Sequence, residues 1–182
     1  MSSSDSELIQ QSIKGDFVAF EQLVYRYDRD VLTLAARYTQ SSDDAKDIYQ
    51  EVFLRVYKGL SNFEGKSEFA TWLYRIATNV CLTYKSRKKK AVEVSLNEDI
   101  DTIDVIDAQS QKFDTAADIN DQIQVALDKL SPQQKMVFTL RHFQDCKVKD
   151  IARMMDCAEG TVKKYLFEAT RKMRIQLKEL YE

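Results

Sequence analysis

The sequence predicts an all-α protein: two small helical domains joined by a flexible acidic linker, the second domain carrying a helix-turn-helix. Three observations predict it. First, 182 residues include only four Gly and one Pro, where average usage of about 7% and 5% would supply roughly 22. Sandwiches, barrels and meanders need a turn every 8 to 12 residues or so, and this chain is too short of turn formers to make them. Second, apolar residues recur at three- and four-residue intervals on both sides of a central break, the period of a helix face. Third, the net charge of −2 is unevenly divided. Residues 1–91 hold 14 basic and 12 acidic side chains, residues 92–121 hold 1 and 9, and residues 122–182 hold 12 and 8.

The elements follow in order. Asp5 precedes a short helix that stops at Lys14-Gly15, and Asp16 opens a longer one. The Ser41-Ser42-Asp43 cluster ends that helix and caps a third. In the third, Ala45, Ile48, Val52, Val56 and Leu60 make one buried stripe, leaving Asp44, Asp47, Gln50, Glu51 and Lys58 largely outward. A loop from Ser61 to Lys66 leads to Ser67 as the next cap. In the fourth helix Phe69, Leu73, Ile76, Val80 and Tyr84 point inward, while Trp72, Arg75, Asn79, Thr83 and Ser86 line another face that runs into Lys85, Arg87, Lys88, Lys89 and Lys90.

Residues 92–121 alternate acids with lone aliphatics and show no sustained helical period before about Ala116. They are expected to be a linker between a domain over 1–91 and one over 122–182. The second domain opens on Ser131-Pro132-Gln133-Gln134, a capping box with Pro at the first helical position. Met136, Val137, Leu140 and Phe143 give that helix its apolar side, and Gln144-Asp145-Cys146 breaks it. A short helix around Val148 to Met155, a turn through Asp156 to Gly160, and a longer helix from Thr161 follow.

Two helices can place the second in a major groove when a small residue sits where they cross and their inner faces are apolar. Ala152 is that small residue, with Ile151, Met155, Cys157, Val162, Tyr165 and Leu166 inside. Thr161, Lys163, Lys164, Phe167, Glu168 and Arg171 then face outward, toward phosphates and base edges. The alternative is an ordinary helical hairpin with a solvated basic face. In the first domain, Phe63, Phe69, Trp72, Tyr74 and Asn79 beside the Lys/Arg cluster resemble a surface for unstacked bases. Phe69 and Tyr74 fit equally well as core.

Cofactor and metal chemistry are not expected. Cys81, Cys146 and Cys157 lack Cys-x-x-Cys spacing, and the single histidine, His142, stands apart from any ligand cluster. No apolar run approaches the roughly 18 residues of a membrane span, and the N-terminus has no signal-peptide pattern. A cytoplasmic location is expected.

Taken in order, these residues resemble the extracytoplasmic-function sigma factors, the compact group of bacterial initiation sigma factors. The first half carries Lys14-Gly15-Asp16 with Ala19-Phe20, then Asp44-Ala45-Lys46-Asp47-Ile48-Tyr49-Gln50-Glu51-Val52-Phe53, then Phe69-Ala70-Thr71-Trp72-Leu73-Tyr74-Arg75-Ile76-Ala77-Thr78-Asn79. The second carries Leu130-Ser131-Pro132, Asp150-Ile151-Ala152, Met155-Asp156-Cys157 and Gly160-Thr161-Val162-Lys163.

The resemblance implies a division of labour. The helix matching Asp43 to Lys58 docks on core RNA polymerase, which makes Asp47, Gln50, Glu51 and Phe53 the expected polymerase contacts. The loop and helix matching Ser61 to Lys85 recognise and melt the −10 element of promoter DNA, with a flipped base held by the loop. Asn62, Phe63, Trp72, Tyr74, Arg75, Asn79, Lys85 and Arg87 are the expected residues there. The second half reads the −35 element as duplex through Thr161, Lys163, Lys164, Phe167 and Arg171. Family members often carry Ser then Arg after the Thr-Val-Lys/Arg stretch, and another Arg after the aromatic, where this chain has Lys164, Tyr165 and Glu168.

The resemblance also implies control by an anti-sigma factor, which could hold the protein at the inner membrane face. Thirty linker residues reach about 100 Å, enough for elements separated by some 16 to 18 base pairs, roughly 55 to 60 Å. An acidic strand of this kind suits the basic channel that later holds nascent RNA. The competing reading is a stand-alone helix-turn-helix regulator. An enzyme acting on nucleic acid would need a carboxylate or metal constellation in a concave site, and the acids here lie on solvent faces or in the linker.

Overall fold

A computed structural model describes residues 3–39, 41–95 and 116–179. Helix α1 spans Asp5–Ile13, α2 Phe17–Tyr38, α3 Ser42–Gly59, α4 Phe69–Ser95, α5 Ala116–Asp128, α6 Pro132–His142, α7 Val148–Met154 and α8 Glu159–Glu179, with a single 3-10 turn at Leu60–Asn62. Among the described residues there is no strand.

Local chemistry sets the helix starts. Ser4, one residue earlier than the expected Asp5, caps α1: its hydroxyl accepts from the Glu7 N–H at 3.3 Å while the Glu7 carboxylate accepts from the Ser4 N–H at 2.7 Å. That reciprocal pair holds the Glu7 carboxyl below its ordinary pKa. Gly15, at φ +96, makes the turn that an L side chain would strain. Asp16 then caps α2 by accepting from the Val18 and Ala19 N–H groups. Ser41 caps α3. Ser67 does not cap α4, whose first residue is Phe69 and whose first turn closes on the Glu68 carbonyl. The capping box at Ser131 and Gln134 forms as the sequence predicts, with Pro132 at the first helical position. Each such cap contributes about 1 kcal/mol.

Helices α1 to α4 pack around Leu8, Leu23, Leu34, Ile48, Val52, Val56 and Leu73, all nearly fully buried. Fully burying one Leu or Val side chain contributes about 1.5 to 3 kcal/mol. The second unit uses Ala126, Leu127, Leu130, Ala169 and Met173 to seat α5 on α8. Of the linker stretch, residues 92–95 continue α4 and residues 116–121 open α5, where the helical period resumes; residues 96–115 lie outside the described residues.

The two units also pack on each other. The apolar cluster that begins at Leu8 continues through Met136, Val137, Leu140, Ile151 and Ala152 of the second unit. Helix α4 lies against α7 and α6, and α2 against α6. This explains why the burial of α4 exceeds its single predicted stripe. Tyr74, Ala77, Thr78 and Cys81 are buried as well as Leu73 and Val80, because α4 is covered from two sides.

Lys135, 1% exposed, sits near this seam. Its ammonium pairs with the Asp128 carboxylate and lies 5.7 Å from the centroid of the Tyr38 ring. An ammonium removed from water needs such company, since desolvation costs several kcal/mol, on the order of the attraction it gains.

Candidate nucleic-acid interface

Four rings meet where the loop after α3 enters α4. Phe69, 4% exposed, forms the floor. Tyr27 packs on it at 5.4 Å between centroids, Phe63 edge-on at 5.7 Å and Trp72 at 5.7 Å, with Phe63 and Trp72 5.2 Å apart. Phe63 and Trp72 are only partly buried, at the rim of the cluster. Gly59 lies beside the indole: a Cβ there would meet Trp72 Cζ2 at 3.4 Å, an ordinary contact. Phe69, one of the two rings with an alternative role, is therefore core.

Beside the rings lies an open cleft of about 510 Å³, walled by the loop residues Phe63, Lys66 and Glu68 on one side and by Ser6 and Gln10 of α1 on the other. Gly65, at φ +67, lets the loop turn around it. Asn62 is exposed at the cleft's approach, and Arg75 and Asn79 are exposed on the helix that continues from Trp72. Rings, amides and a guanidinium thus share one surface, as stacking on bases with polar reading of their edges requires.

Two of the expected −10 residues, Tyr74 and Arg87, lie elsewhere. Tyr74, 7% exposed, turns away from Trp72 into the seam between the units. Its hydroxyl donates to Gln144 Oε1 at 2.9 Å and toward Asp30 Oδ2 at 3.2 Å. Burial and the Asp30 carboxylate push its phenol well above the ordinary tyrosine pKa. The spacing from Trp72 to Tyr74, two residues, puts them about 200° apart on a helix, so they cannot share a face. Arg87 is exposed but lines a groove with Asp47, Glu51 and Arg55 of α3. The side chain of Lys85 lies outside the described residues.

On α3, Asp47 and Gln50 are exposed as expected. Glu51 is partly covered and held by Arg55, with N–O distances of 2.7 and 2.8 Å. Phe53 is 8% exposed and packs edge-on to Tyr49 at 4.9 Å. It is core rather than a free contact, because it falls at the margin of the inward stripe of Val52 and Val56. The exposed apolar side chains of this helix are Leu54 and Tyr57, at 48% and 55%, which sequence reasoning passed over. Leu54 falls opposite the stripe, beside Asp47 and Gln50, and Tyr57 lies next to it with its ring edge-on to Phe20 of α2 at 5.0 Å. That position was legible, since two large apolar residues on the outer face are the signal of a partner. Tyr84 ties α4 to α3 by donating to Asp44 at 2.9 Å, with Asp47 3.4 Å away. Burial and those carboxylates push its phenol up to about 12.

In the second unit α7 crosses α8 as the small residue requires: Ala152 is 6% exposed, and Ile151 and Val162 are fully buried. Met154 takes the inner position expected of Met155. Asp156 adopts φ +51 in the turn, a left-handed conformation that Asp tolerates better than most residues. Ala158 occupies the cap position of α8, its carbonyl accepting from the Thr161 and Val162 N–H groups.

Lys163, Lys164, Phe167 and Arg171 are exposed, and Thr161 partly so. Glu168 accepts from Gln134 Nε2 at 2.7 Å, while Gln134 Oε1 accepts from Lys172 at 3.1 Å. Gln134 thus links Glu168 and Lys172 on one side of α8, while Glu159 stays exposed in its first turn. Lys147, Lys149 and Arg153 on and before α7 are exposed too. They occupy the place from which a first helix meets the DNA backbone, and the sequence reading had not weighed them.

No group of three or more potential metal ligands occurs among the described residues. All three cysteines are free thiols. Burial pushes Cys81 up to about 12 and Cys146 up to about 11. No helix of the described residues is long and apolar enough to cross a membrane.

Comparison with known proteins now bears on these surfaces. The family descriptions Sigma-70 region 2 and Sigma-70, region 4 match residues 23–91 and 120–173. The ECF RNA polymerase sigma-E factor of Escherichia coli K12 is 32% identical over 176 residues, which cover 91% of this chain and 90% of that protein. The chain belongs to the extracytoplasmic-function sigma factors. The RNA polymerase sigma-H factor of Pseudomonas aeruginosa is also 32% identical, over 173 residues covering 91% and 89%.

Two solved structures share the fold of this sigma factor. CnrH in complex with the cytosolic domain of CnrY gives a TM-score of 0.72 at 21% identity, over 97% of this chain and 99% of that one. The sigma factor RpoE in complex with the anti-sigma factor NepR from Bartonella quintana gives 0.70 at 23%, over 87% and 96%. In this sigma factor region 2 therefore holds the ring cluster and the outer face of α3, and region 4 holds the helix-turn-helix.

Proposed function

We propose that this sigma factor directs core RNA polymerase to a set of promoters by gripping melted −10 DNA with its first unit and duplex −35 DNA with its second. The observation that carries the reading is the ring cluster of Phe63, Phe69 and Trp72, its two outer rings only partly buried, beside an open cleft lined by Phe63 and Phe69. A water-facing surface has no use for two such rings, whereas an unstacked base gains about 1 to 3 kcal/mol from each ring it stacks on. Arg75, Asn79 and Asn62 flank the path of the strand. Lys163, Lys164, Phe167 and Arg171, with Thr161 at the helix start, face the −35 duplex, and Lys147, Lys149 and Arg153 hold its backbone.

Core polymerase docks on the outer face of α3, where Asp47 and Gln50 give polarity and Leu54 and Tyr57 give apolar area. The protein performs no chemistry of its own: it supplies recognition and strand opening to an enzyme that lacks them. The domain limits 1–91 and 122–182, with 92–121 as an acidic tether lying in the polymerase's RNA channel, belong to the same reading. So does control by an anti-sigma factor, the kind of partner that the solved RpoE structure names for its own chain, and with it a place in the cytoplasm.

The test is affinity for purified core enzyme. Leu54→Ala with Tyr57→Ala should weaken it at least tenfold while leaving duplex DNA binding unchanged, and so should alanine at Asp47 and Gln50. Full affinity in both variants would remove α3 from the docking surface. No affinity in the parent protein would leave the stand-alone regulator as the better reading.

A further inference from the structure

Helix α1 takes part in the ring-lined cleft, although the residues matched to Sigma-70 region 2 begin only at 23. Asp5, Ser6, Ile9 and Gln10 all line it. Spacings of three and four residues put them on one side of the helix, and the loop from Phe63 to Phe69 stands across from them. The cleft is therefore a gap between two elements, and α1 supplies one of its walls.

That wall is firmly held. Leu8 and Ile9 are buried, and α1 packs along α2 and against the 3-10 turn Leu60–Asn62 that leads into the loop. The Asp5 carboxylate accepts from the Arg26 guanidinium and from the Tyr27 hydroxyl, while Arg26 also donates to the Ser3 carbonyl oxygen at 2.7 Å. The Tyr27 ring is the one that packs on Phe69. Wall and floor of the cleft are thus joined through a single side chain, which fixes the width between them.

The charge of the lining decides what can enter. Asp5 is engaged by Arg26, and Glu64 by Lys66. The exposed Glu68 carboxylate has no side-chain partner among the described residues, and neither has the exposed Gln10 amide. An uncompensated carboxylate repels a phosphate, so the part of a DNA strand that fits here is an uncharged base lying against Phe63, Phe69 and Ile9. Bases differ at their edges: adenine, cytosine and guanine carry an exocyclic amine that donates, whereas thymine sets two carbonyl oxygens there. A carboxylate only accepts, and an amide both donates and accepts.

We propose that α1 and the loop form one pocket that selects an amine-bearing base over thymine at one unpaired position of the −10 element, with Glu68 accepting from the amine and Gln10 bonding the ring edge beside it. Entry of an unpaired base rests on the promoter-reading function above; its selection by Glu68 and Gln10 goes beyond that function. Anisotropy titrations of holoenzyme made with the full chain test it, against forked −10 probes in which each unpaired position carries adenine, cytosine, guanine or thymine in turn. At one position an amine-bearing base should bind about tenfold more tightly than thymine, the size of effect expected of a hydrogen bond to a charged group. The same base without its amine, such as purine for adenine, should lose most of that gain.

Glu68→Ala should bring the four bases to within about twofold of one another at that position alone, Gln10→Ala should narrow the preference there, and Glu68→Gln, which keeps an accepting oxygen, should retain part of it. Both side chains are exposed, so the variants should keep wild-type helix content and −35 duplex binding. Wild-type holoenzyme that binds forked DNA with no such preference, or a preference that survives Glu68→Ala, would overturn the selection. A preference untouched by Gln10→Ala would remove α1 from the pocket. Wild-type holoenzyme that binds none of the forked probes would overturn the promoter reading as well, an outcome distinct from the others.

Discussion

Removing the Trp72 side chain gives the sharpest consequence of the ring surface. The indole has two jobs in the structure: it stays only partly buried at the rim of the ring cluster, and it contacts Phe63 and Phe69 at 5.2 and 5.7 Å. Loss of one base stack costs about 1 to 3 kcal/mol, equal to roughly 5- to 150-fold in affinity for forked −10 DNA at about 1.4 kcal/mol per decade. Loss of two ring contacts at about 0.5 to 1.5 kcal/mol each lowers stability by a further 1 to 3 kcal/mol or so.

The stability loss acts on any ligand, whereas the stacking loss acts only on unpaired DNA. Anisotropy titrations of holoenzyme made with Trp72→Ala, against a forked −10 probe and a duplex −35 probe, therefore separate them. The forked probe should lose at least fivefold more than the duplex probe, and Trp72→Phe should recover most of the difference. Because Trp72 is the sole tryptophan, its fluorescence in the wild-type protein should also change when forked DNA binds. Equal losses on both probes, with a silent tryptophan, would refute the argument.

Three further outcomes are expected. Lys163→Ala and Arg171→Ala should each flatten the log–log salt dependence of −35 duplex binding by about 0.9, one released counterion apiece, without altering binding to forked −10 DNA. Asp128→Asn leaves the buried Lys135 ammonium without its carboxylate and should cost about 3 to 5 kcal/mol in urea unfolding, while Lys135→Met should be neutral or stabilising, since a buried pair roughly offsets its own desolvation. Alkylation at pH 8 followed by mass spectrometry should modify Cys157 first, Cys146 next and Cys81 last. Burial raises all three thiols, to about 11 for Cys146 and about 12 for Cys81, and the thiolate is the reacting form.

The sequence reading reached the helices because their signals are local. Asp16, Ser41 and Ser131 each satisfy N–H groups within three residues, and the helix-turn-helix is specified by Ala152, Ile151 and Val162 within a dozen positions. It did not reach the second burial of α4. Tyr74 and Cys81 lie off the predicted stripe, and the helices that cover them begin some sixty residues later in the chain. Nothing within one helix records a partner at that distance.

Phe53 was misplaced for a related reason. It sits at the edge of the α3 stripe, where packing from outside the helix decides whether a ring is covered. Glu168, which departs from the family's pattern, is held by Gln134, thirty-four residues away in the chain, a partner the helix alone does not show. Leu54 and Tyr57 were different: their position off the stripe was visible and only their meaning was missed.

The account stands on two DNA grips used together by a polymerase that lacks its own, and promoter-dependent run-off transcription measures that most directly. Purified core enzyme plus this protein should yield discrete transcripts from its host's promoters, core enzyme alone should yield none, and alanine at Leu54 and Tyr57 should reduce the yield at least tenfold. Transcripts that require another sigma factor to be present, with this protein only modulating their level, would contradict it.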